Sequence, residues 1–199
     1  MLTTEELTQE LETVRLAQNG DAAAQSRLVM RYSSRIYSLA LRLTGSHQDA
    51  EDVLQETFLT MLKKINQFQG NSSFYTWLYR VAINIGLRKL KSKPRRYTHV
   101  SIDDPDIRQI SATPDEHWPA VDFSRLNEAR FRQKLDQALA KLPEIYRTVF
   151  ILRDLHELST EETSNILNLT ESNTKIRLMR ARNFLKSELE HLIASQELT

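Results

Sequence analysis

Five basic side chains and no acidic one lie between Ser172 and Lys186. Lysine and arginine neutralise DNA phosphates, and this chemistry needs a surface without competing carboxylates. The basic residues are Lys175, Arg177, Arg180, Arg182 and Lys186. The segment therefore predicts contact with DNA. An ordinary solvated helix is the alternative, because basic helical faces are common.

Two short helices joined by a tight turn are predicted to present these residues. Ser159 and Glu162 have the spacing of a capping box, which marks the start of a first helix. The turn Asn168 to Thr170 follows, and Thr170 is a suitable N-cap for a second helix. The segment from Glu157 to Leu185 thus predicts a helix-turn-helix.

The second helix has one apolar stripe and one polar face. The stripe recurs at steps of four, three and four residues, at Thr174, Leu178, Ala181 and Leu185. At about 100° per residue, the opposite face carries Ser172, Ile176, Met179, Arg180 and Asn183, with Lys175 and Arg177 on its flanks. This face is predicted to enter a major groove.

The net charge is small for a DNA-binding protein. The chain has 27 basic and 26 acidic residues, a formal net charge of +1. Free-standing DNA-binding domains usually carry a marked basic excess. Here the charge is segregated into a basic block at 88–96 and an acidic stretch at 103–116. We therefore expect weak DNA binding by the chain alone, and a partner that supplies affinity.

Several classes of function are disfavoured by what the sequence lacks. It contains no cysteine, and its five histidines are scattered without metal-ligand spacing. It has no glycine-rich phosphate loop and no nucleophile elbow. We expect no enzyme activity, no cofactor, no metal and no small-molecule substrate. The lack of a long apolar run and the acidic amphipathic start predict a cytoplasmic protein that is not membrane-embedded.

The pattern of helix breakers predicts an all-α chain with two small helical domains. Only four glycines are present, and four of the five prolines lie between Lys93 and Val121 in a polar stretch without periodicity. We predict an N-terminal domain at 1–92, a flexible proline-containing linker at 93–125, and a C-terminal domain with the helix-turn-helix at 126–199.

One helix of the first domain has a broad core stripe and an acidic opposite face. The predicted core positions are Ala50, Val53, Leu54, Thr57, Phe58, Met61, Leu62 and Ile65. On the opposite face an apolar Leu59 is predicted to lie among Asp49, Asp52 and Glu56. An exposed leucine beside carboxylates suggests a docking face. Taken alone, the pattern favours a solvated acidic face, because single exposed leucines are common.

A polar loop flanked by aromatic residues follows Gly70. Phe74 and Trp77 share a face with later apolar residues and are predicted to be core, whereas Phe68 and Tyr75 are expected to be freer. Such a loop can receive an extruded base. The exposed side of the next helix is predicted to be basic, and it carries Arg80, Asn84, Arg88, Lys89 and Lys91.

In this order, these segments resemble the extracytoplasmic-function class (group 4) of bacterial sigma factors, the specificity subunits of RNA polymerase. The resemblance covers nearly the whole chain. It rests on the segments Asp49 to Phe68, Asn71 to Leu90, Leu142 to Glu162, and the helix-turn-helix. It implies promoter selection and assisted promoter melting, with core polymerase, promoter DNA and an inhibitory anti-sigma factor as partners and with no cofactor.

The resemblance also implies roles for individual residues. The set implied to dock on the clamp coiled coil of the largest polymerase subunit is Asp49, Asp52, Gln55, Glu56 and Leu59. The set implied to bind the minus-ten element is Phe68, Asn71, Ser72, Ser73, Phe74, Tyr75, Asn84, Arg88 and Lys89. The set implied to bind the minus-thirty-five element is Ser172, Lys175, Ile176, Arg177, Met179, Arg180 and Arg182, with Arg177 and Arg182 nearer phosphates.

The chain departs from the family pattern at the helix-turn-helix. Asn168 stands where glycine is frequent, and Glu171, Asn173 and Thr174 differ from the usual start of the recognition helix. Thr163 and Ser164 replace residues that are commonly apolar. Two rival functions are a helix-turn-helix regulator that binds duplex DNA without polymerase, and an interaction module that only occupies polymerase or an antagonist.

Overall fold

The computed structural model describes residues 4–92 and 129–194, with side chains for residues 8–92 and 131–190. Within these ranges all regular secondary structure is helical, so the predicted all-α fold is confirmed. The chain divides into two compact units, Met1–Pro94 and Arg95–Thr199. The predicted linker lies outside the described residues. None of the described helices is long and apolar enough to cross a membrane.

The first unit is a four-helix bundle whose ends are set by local capping. Its elements are α1 (Thr4–Gln18), α2 (Ala22–Thr44), α3 (His47–Lys64), a 3₁₀ turn (Ile65–Gln67) and α4 (Phe74–Ser92). Asp21 begins α2 by accepting a hydrogen bond from the backbone of Ala24 at 2.7 Å. Gly45 ends α2 in the left-handed conformation, φ 68°, which glycine adopts without steric cost.

The core of the first unit follows most of the predicted helical stripes. Of the eight positions expected in the core around α3, Leu62 is 39% exposed and Leu54 is only partly buried. Helix geometry explains the error, because Leu62 lies between the buried Phe58 and the exposed Leu59 around the α3 axis. The core prediction for Phe74 is confirmed, while Trp77 is only partly buried.

Helices α2 and α4 approach closely at Gly86. A Cβ atom placed on Gly86 would lie 2.5 Å from Cδ2 of Leu43, and Leu43 itself is fully buried. Real carbon atoms do not come this close without displacement, so only glycine fits without a shift.

The described part of the second unit is a helical body that contains the helix-turn-helix. Its described elements are α5 (Ala129–Lys141), α6 (Glu144–Phe150), a π-helical turn (Ile151–Leu155), α7 (Thr160–Leu167) and α8 (Glu171–Ala194). The capping box of Ser159 and Glu162 is present, with hydrogen bonds of 3.0 and 2.8 Å. Thr170 caps α8, and its hydroxyl accepts from the backbone of Asn173 at 3.2 Å. Both caps match the prediction.

Asn168 ends α7 in the left-handed conformation with φ 54°. Asparagine tolerates this region better than most residues other than glycine. The backbone of Leu169 then donates to the carbonyl of Ser164 at 2.9 Å, which closes the turn. The tight turn therefore forms with asparagine in the position where glycine is frequent.

Two hydroxyl residues occupy the core of α7. Ser164 donates to the carbonyl of Thr160 at 2.7 Å, and its oxygen lies 2.9 Å from the hydroxyl of Thr174 in α8. Thr163 is fully buried, and its hydroxyl oxygen has no hydrogen-bond partner within the described part of the chain. A buried polar group without a partner costs about 1–3 kcal/mol.

Candidate functional site

The acidic face of α3, defined as Asp49, Asp52, Gln55, Glu56 and Leu59, is exposed except at its first member. Leu59 is 50% exposed, and Asp52, Gln55 and Glu56 are also exposed. Asp49 was expected on the exposed surface, but it is buried. The error arises because α4 packs against α3 and places Lys89 3.6 Å from the Asp49 carboxylate.

The acidic face and the basic side of α4 are paired with each other. Arg88 forms an ion pair with Glu56, and Lys89 forms one with Asp52. The hydrogen bond to Asp52 raises the pKa of the Lys89 ammonium, so Lys89 keeps its charge. Ion pairs this exposed contribute about 0–1 kcal/mol each. Carboxylates that were predicted to contact polymerase are therefore ion-paired with basic residues that were predicted to contact DNA.

Residues 68–75, called the base-capture loop because the sequence predicts that they receive an extruded base, have a buried aromatic floor and an exposed polar rim. Phe68 and Phe74 are buried and meet edge to face, with ring centroids 5.5 Å apart. The expectation that Phe68 would be free is therefore wrong. Trp77 covers it from α4 at 5.7 Å, a contact that periodicity within one helix does not show. Asn71, Ser72 and Ser73 form the exposed rim.

The end of the loop is fixed by a helix N-cap and by a contact between two tyrosine rings. Ser73 accepts a hydrogen bond from the backbone of Thr76 at 3.0 Å and begins α4. Tyr75 remains partly exposed and packs against Tyr79, with ring centroids 4.1 Å apart and ring planes tilted by 41°. Of the loop aromatics assigned to DNA, Tyr75 is the one whose ring is accessible.

Helix α1 supports the loop through two polar residues, Gln18 and Glu10, that were not among the predicted site residues. Gln18 donates to the carbonyls of Ile65 and Phe68 at 3.0 and 2.9 Å. Glu10 is buried and accepts from the hydroxyl of Tyr32, whose ring lies 5.7 Å from that of Phe74. Burial, followed by the bond to Glu10, raises the pKa of the Tyr32 phenol far above its ordinary value.

The burial of Glu10 could have been predicted from the sequence. It precedes the buried Val14 and Ala17 by four and seven residues, so it occupies a core position of α1. A carboxylate in a core stripe needs a partner. Gln18 had no such signal, because its two acceptors lie 47 and 50 residues away in the chain.

The recognition helix α8 has the predicted apolar stripe, but the opposite face is exposed only at its start and is partly buried at Met179, Arg180 and Asn183. Thr174, Leu178, Ala181 and Leu185 are buried, which confirms the apolar stripe. On the other side, Ser172, Lys175 and Ile176 are exposed, and Ile176 is 47% accessible. Asn173 is also exposed. A Lys175–Glu171 distance of 3.9 Å places one carboxylate beside the leading basic residue.

The arginines of α8 have contacts within the unit. Arg180 is partly exposed and donates to the hydroxyl of Tyr146 at 3.2 Å. Partial burial lowers the pKa of the Arg177 guanidinium. Arg182 makes two hydrogen bonds with Asp154, at 2.8 and 2.6 Å. Met179 is partly buried between these residues and the exposed face.

No group of three potential metal ligands comes together among the described residues.

Comparison with known proteins places both units in one family. Residues 28–96 match the family model "Sigma-70 region 2", and residues 132–185 match "Sigma-70, region 4". The RNA polymerase sigma-H factor of Pseudomonas aeruginosa is 33% identical over 198 residues, which covers 97% of this chain and 98% of that protein. The chain belongs to the extracytoplasmic-function class of RNA polymerase sigma factors.

Two further proteins illustrate the similarity. The ECF RNA polymerase sigma factor SigW of Bacillus subtilis is 32% identical over 187 residues, covering 90% of this chain and 96% of that protein. The sigma factor RpoE of Bartonella quintana, solved in complex with the anti-sigma factor NepR, matches with a TM-score of 0.60 at 18% identity. That match covers 83% of this chain and 96% of the other, and it supports the fold.

Proposed function

We propose that this chain is a group 4 sigma factor that binds core RNA polymerase, directs it to specific promoters and assists promoter melting. The observation that carries the proposal is the exposed Leu59 among the carboxylates of Asp52 and Glu56, on a helix whose other side is core. Group 4 is supported by the order of the two matches, which are separated only by residues 97–131.

Polymerase docking is assigned to the exposed part of the acidic face. Gln55, Leu59, Asp52 and Glu56 are exposed toward a basic and partly apolar partner surface, for which the clamp coiled coil of the largest subunit is the proposed site. On docking, Asp52 and Glu56 would exchange their ion pairs with α4 for contacts to that surface. Asp49 has a different proposed role. Because it is buried beside Lys89, it positions that residue and the start of α3.

Minus-ten binding is assigned to the base-capture loop and α4. Asn71, Ser72 and Ser73 offer exposed polar groups, and Tyr75 offers a partly exposed ring for an unstacked base. Phe68 and Phe74 hold the floor of the loop. Asn84 and Arg88 are exposed on α4 beside Lys89, where they can contact the strand upstream.

Minus-thirty-five binding is assigned to α8. Ser172, Lys175 and Ile176 form the exposed leading face, and Met179, Arg177 and Arg180 follow it. Arg182 is also proposed to lie near phosphate, although its pair with Asp154 engages the guanidinium within the unit.

The remaining assignments follow from family membership. We propose domains at 1–92 and 126–199, a linker at 93–125 that passes through the polymerase cleft, and control by an anti-sigma factor in a stress response. The protein is proposed to act in the cytoplasm and to catalyse no reaction of its own. The small net charge fits this role, because polymerase would supply most of the nonspecific DNA affinity.

A charge-reversal pair tests the proposed docking face. Asp52→Lys with Glu56→Lys should abolish run-off transcription by weakening binding to core polymerase at least tenfold, about 1.4 kcal/mol. The matched control is Arg88→Gln with Lys89→Gln, which breaks the same two ion pairs from the other side without adding a carboxylate beside the buried Asp49. The control should bind polymerase normally and fail at the promoter.

The two double variants separate the possible explanations. Far-UV circular dichroism should show the same helix content in both. Retained polymerase binding by the acidic-face variant would contradict the docking role. Specific binding of duplex DNA by the wild-type chain alone, in a gel shift at moderate salt, would instead indicate the stand-alone regulator.

A further inference from the structure

Helix α2 carries three arginines at four-residue intervals, Arg27, Arg31 and Arg35, here called the arginine stripe. All three are exposed, and each directly precedes a buried core residue of α2. No aspartate or glutamate occurs in α2 from Ala22 to Thr44. The stripe therefore flanks the core side of α2 as a purely basic surface.

The stripe runs up to the base-capture loop. The guanidinium carbon of Arg35 lies 5.8 Å from the ring centroid of Tyr75, close enough for a cation–π contact. The neighbouring Tyr32 also packs against Tyr75, with centroids 6.1 Å apart. At 1.5 Å per residue, the stripe extends about 12 Å along α2 from Arg35 to Arg27.

The stripe differs from the basic side of α4 in its counterions. Arg31 lies 3.5 Å from the buried Glu10, so its charge is partly neutralised. Arg27 and Arg35 have no carboxylate within ion-pair distance among the described side chains. Arg88 and Lys89, in contrast, are paired with α3.

We propose that Arg27 and Arg35 bind backbone phosphates of a DNA single strand, next to the base held by the loop. The proposal rests on the function proposed above. Single strands carry a phosphate at every nucleotide, so a basic surface about 12 Å long can contact more than one of them. Arg35 also orients Tyr75, so the first phosphate contact and the accessible aromatic ring belong to one surface.

A solvated basic face is the competing explanation, because arginines on a helix surface are often unoccupied. Two observations favour a phosphate site. The stripe is continuous with a loop already suited to an unstacked base, and it has no acidic residue on its own helix to balance it. Duplex DNA is the weaker candidate, because an accessible aromatic ring such as that of Tyr75 can stack on an unpaired base but not on a paired one.

The test uses holoenzyme assembled from core polymerase and the full chain. A fluorescent oligonucleotide carries the non-template strand of a promoter mapped by run-off transcription, and its binding is measured between about 0.05 and 0.3 M salt. For single strands, the slope of log affinity against log salt is about −0.7 per phosphate contact. Arg27→Gln with Arg35→Gln should reduce the slope by about 1.4 and the affinity at 0.1 M salt by about 25-fold.

Two controls accompany the double variant. Arg27→Lys with Arg35→Lys keeps both positive charges, so binding should retain most of its dependence on salt concentration. Met30→Gln changes an exposed residue on the same helix, 71% accessible, and should match wild type. The oligonucleotide is also shortened from the end that is proposed to run along α2. With the shorter strand, wild type and the glutamine variant should have the same affinity and the same salt dependence.

The outcomes distinguish this proposal from the general function. Failure of the wild-type holoenzyme to bind the strand or to initiate would reject the proposed function itself. If wild type binds and the glutamine variant has unchanged slope and affinity, the phosphate site is rejected. Loss of holoenzyme assembly in that variant, seen on a native gel, would also reject it and assign the stripe to a protein contact.

Discussion

Asp154 and Arg182 are joined by two parallel hydrogen bonds, with Nε and Nη2 of the arginine donating to separate carboxylate oxygens at 2.8 and 2.6 Å. The pair connects the π-helical turn Ile151–Leu155 to α8. Two-point arginine–carboxylate pairs are the strong members of their class. The Asp154 side chain is only 6% exposed, so this pair is protected from solvent on one side.

We expect Asp154→Asn to destabilise the second unit by about 2 kcal/mol, between the values for exposed and buried pairs. Hydrogen–deuterium exchange of α8 amides in the full chain measures this directly. Arg182→Gln should destabilise the unit to a similar degree. If Arg182 also contacts phosphate, Arg182→Gln should lose more promoter affinity than Asp154→Asn. Unchanged exchange in both variants would show that the pair does not support α8.

Arg180 is expected to select bases in the minus-thirty-five element. Arg180→Ala should lower activity at a cognate promoter by the equivalent of about 1–3 kcal/mol and weaken discrimination at one base pair. Tyr146→Phe is the control, because it removes the partner hydroxyl and keeps the arginine. The measurement is run-off transcription across single-position promoter variants. An equal loss on every sequence would make Arg180 a phosphate contact.

Thr163→Val should stabilise the second unit by about 1 kcal/mol. Valine has nearly the shape of threonine, and it removes a fully buried hydroxyl oxygen that has no partner within the described residues. The comparison is Thr148→Val, which removes a hydroxyl that donates to the carbonyl of Glu144 at 2.8 Å. Amide exchange in α6 to α8 should slow in the first variant and not in the second. Faster exchange in Thr163→Val would indicate that the hydroxyl is satisfied.

Gln18→Ala should impair promoter opening while polymerase binding is unchanged. The substitution removes two hydrogen bonds that hold Ile65 and Phe68 at the base of the loop. Each such bond contributes about 0.5–1.5 kcal/mol. Permanganate reactivity of thymines in the melted region reports opening. Gln25→Ala is matched to it, because Gln25 also donates to a backbone carbonyl, that of Ala17, without touching the loop. Equal opening by both variants would argue against the role of Gln18.

Local features were predictable from the sequence because they depend on near neighbours. The capping box of Ser159 and Glu162, and the apolar stripe of α8, involve residues within a few turns of each other. The left-handed Asn168 is of the same kind, because asparagine is itself suited to that conformation.

Features set by a neighbouring helix were not predictable in the same way. A helical wheel gives the direction of Asp49 but not the presence of α4 there, so its burial beside Lys89 was missed. Phe68 was misjudged because Trp77 covers it from another element. The bonds from Gln18 join distant parts of the chain, and no local pattern encodes them.

The close approach of Gly86 to Leu43 has a consequence for DNA binding. Asn84, Arg88 and Lys89 lie within one turn of Gly86 on α4, and the angle at which they are displayed depends on how that helix sits against α2. Alanine at Gly86 would require Cδ2 of the buried Leu43 to move, and any part of the overlap that Leu43 does not absorb would shift α4 against α2. A residue buried away from the surface thus influences how the outward-facing groups of α4 are displayed, and such a shift would appear as altered promoter choice before any loss of helix content.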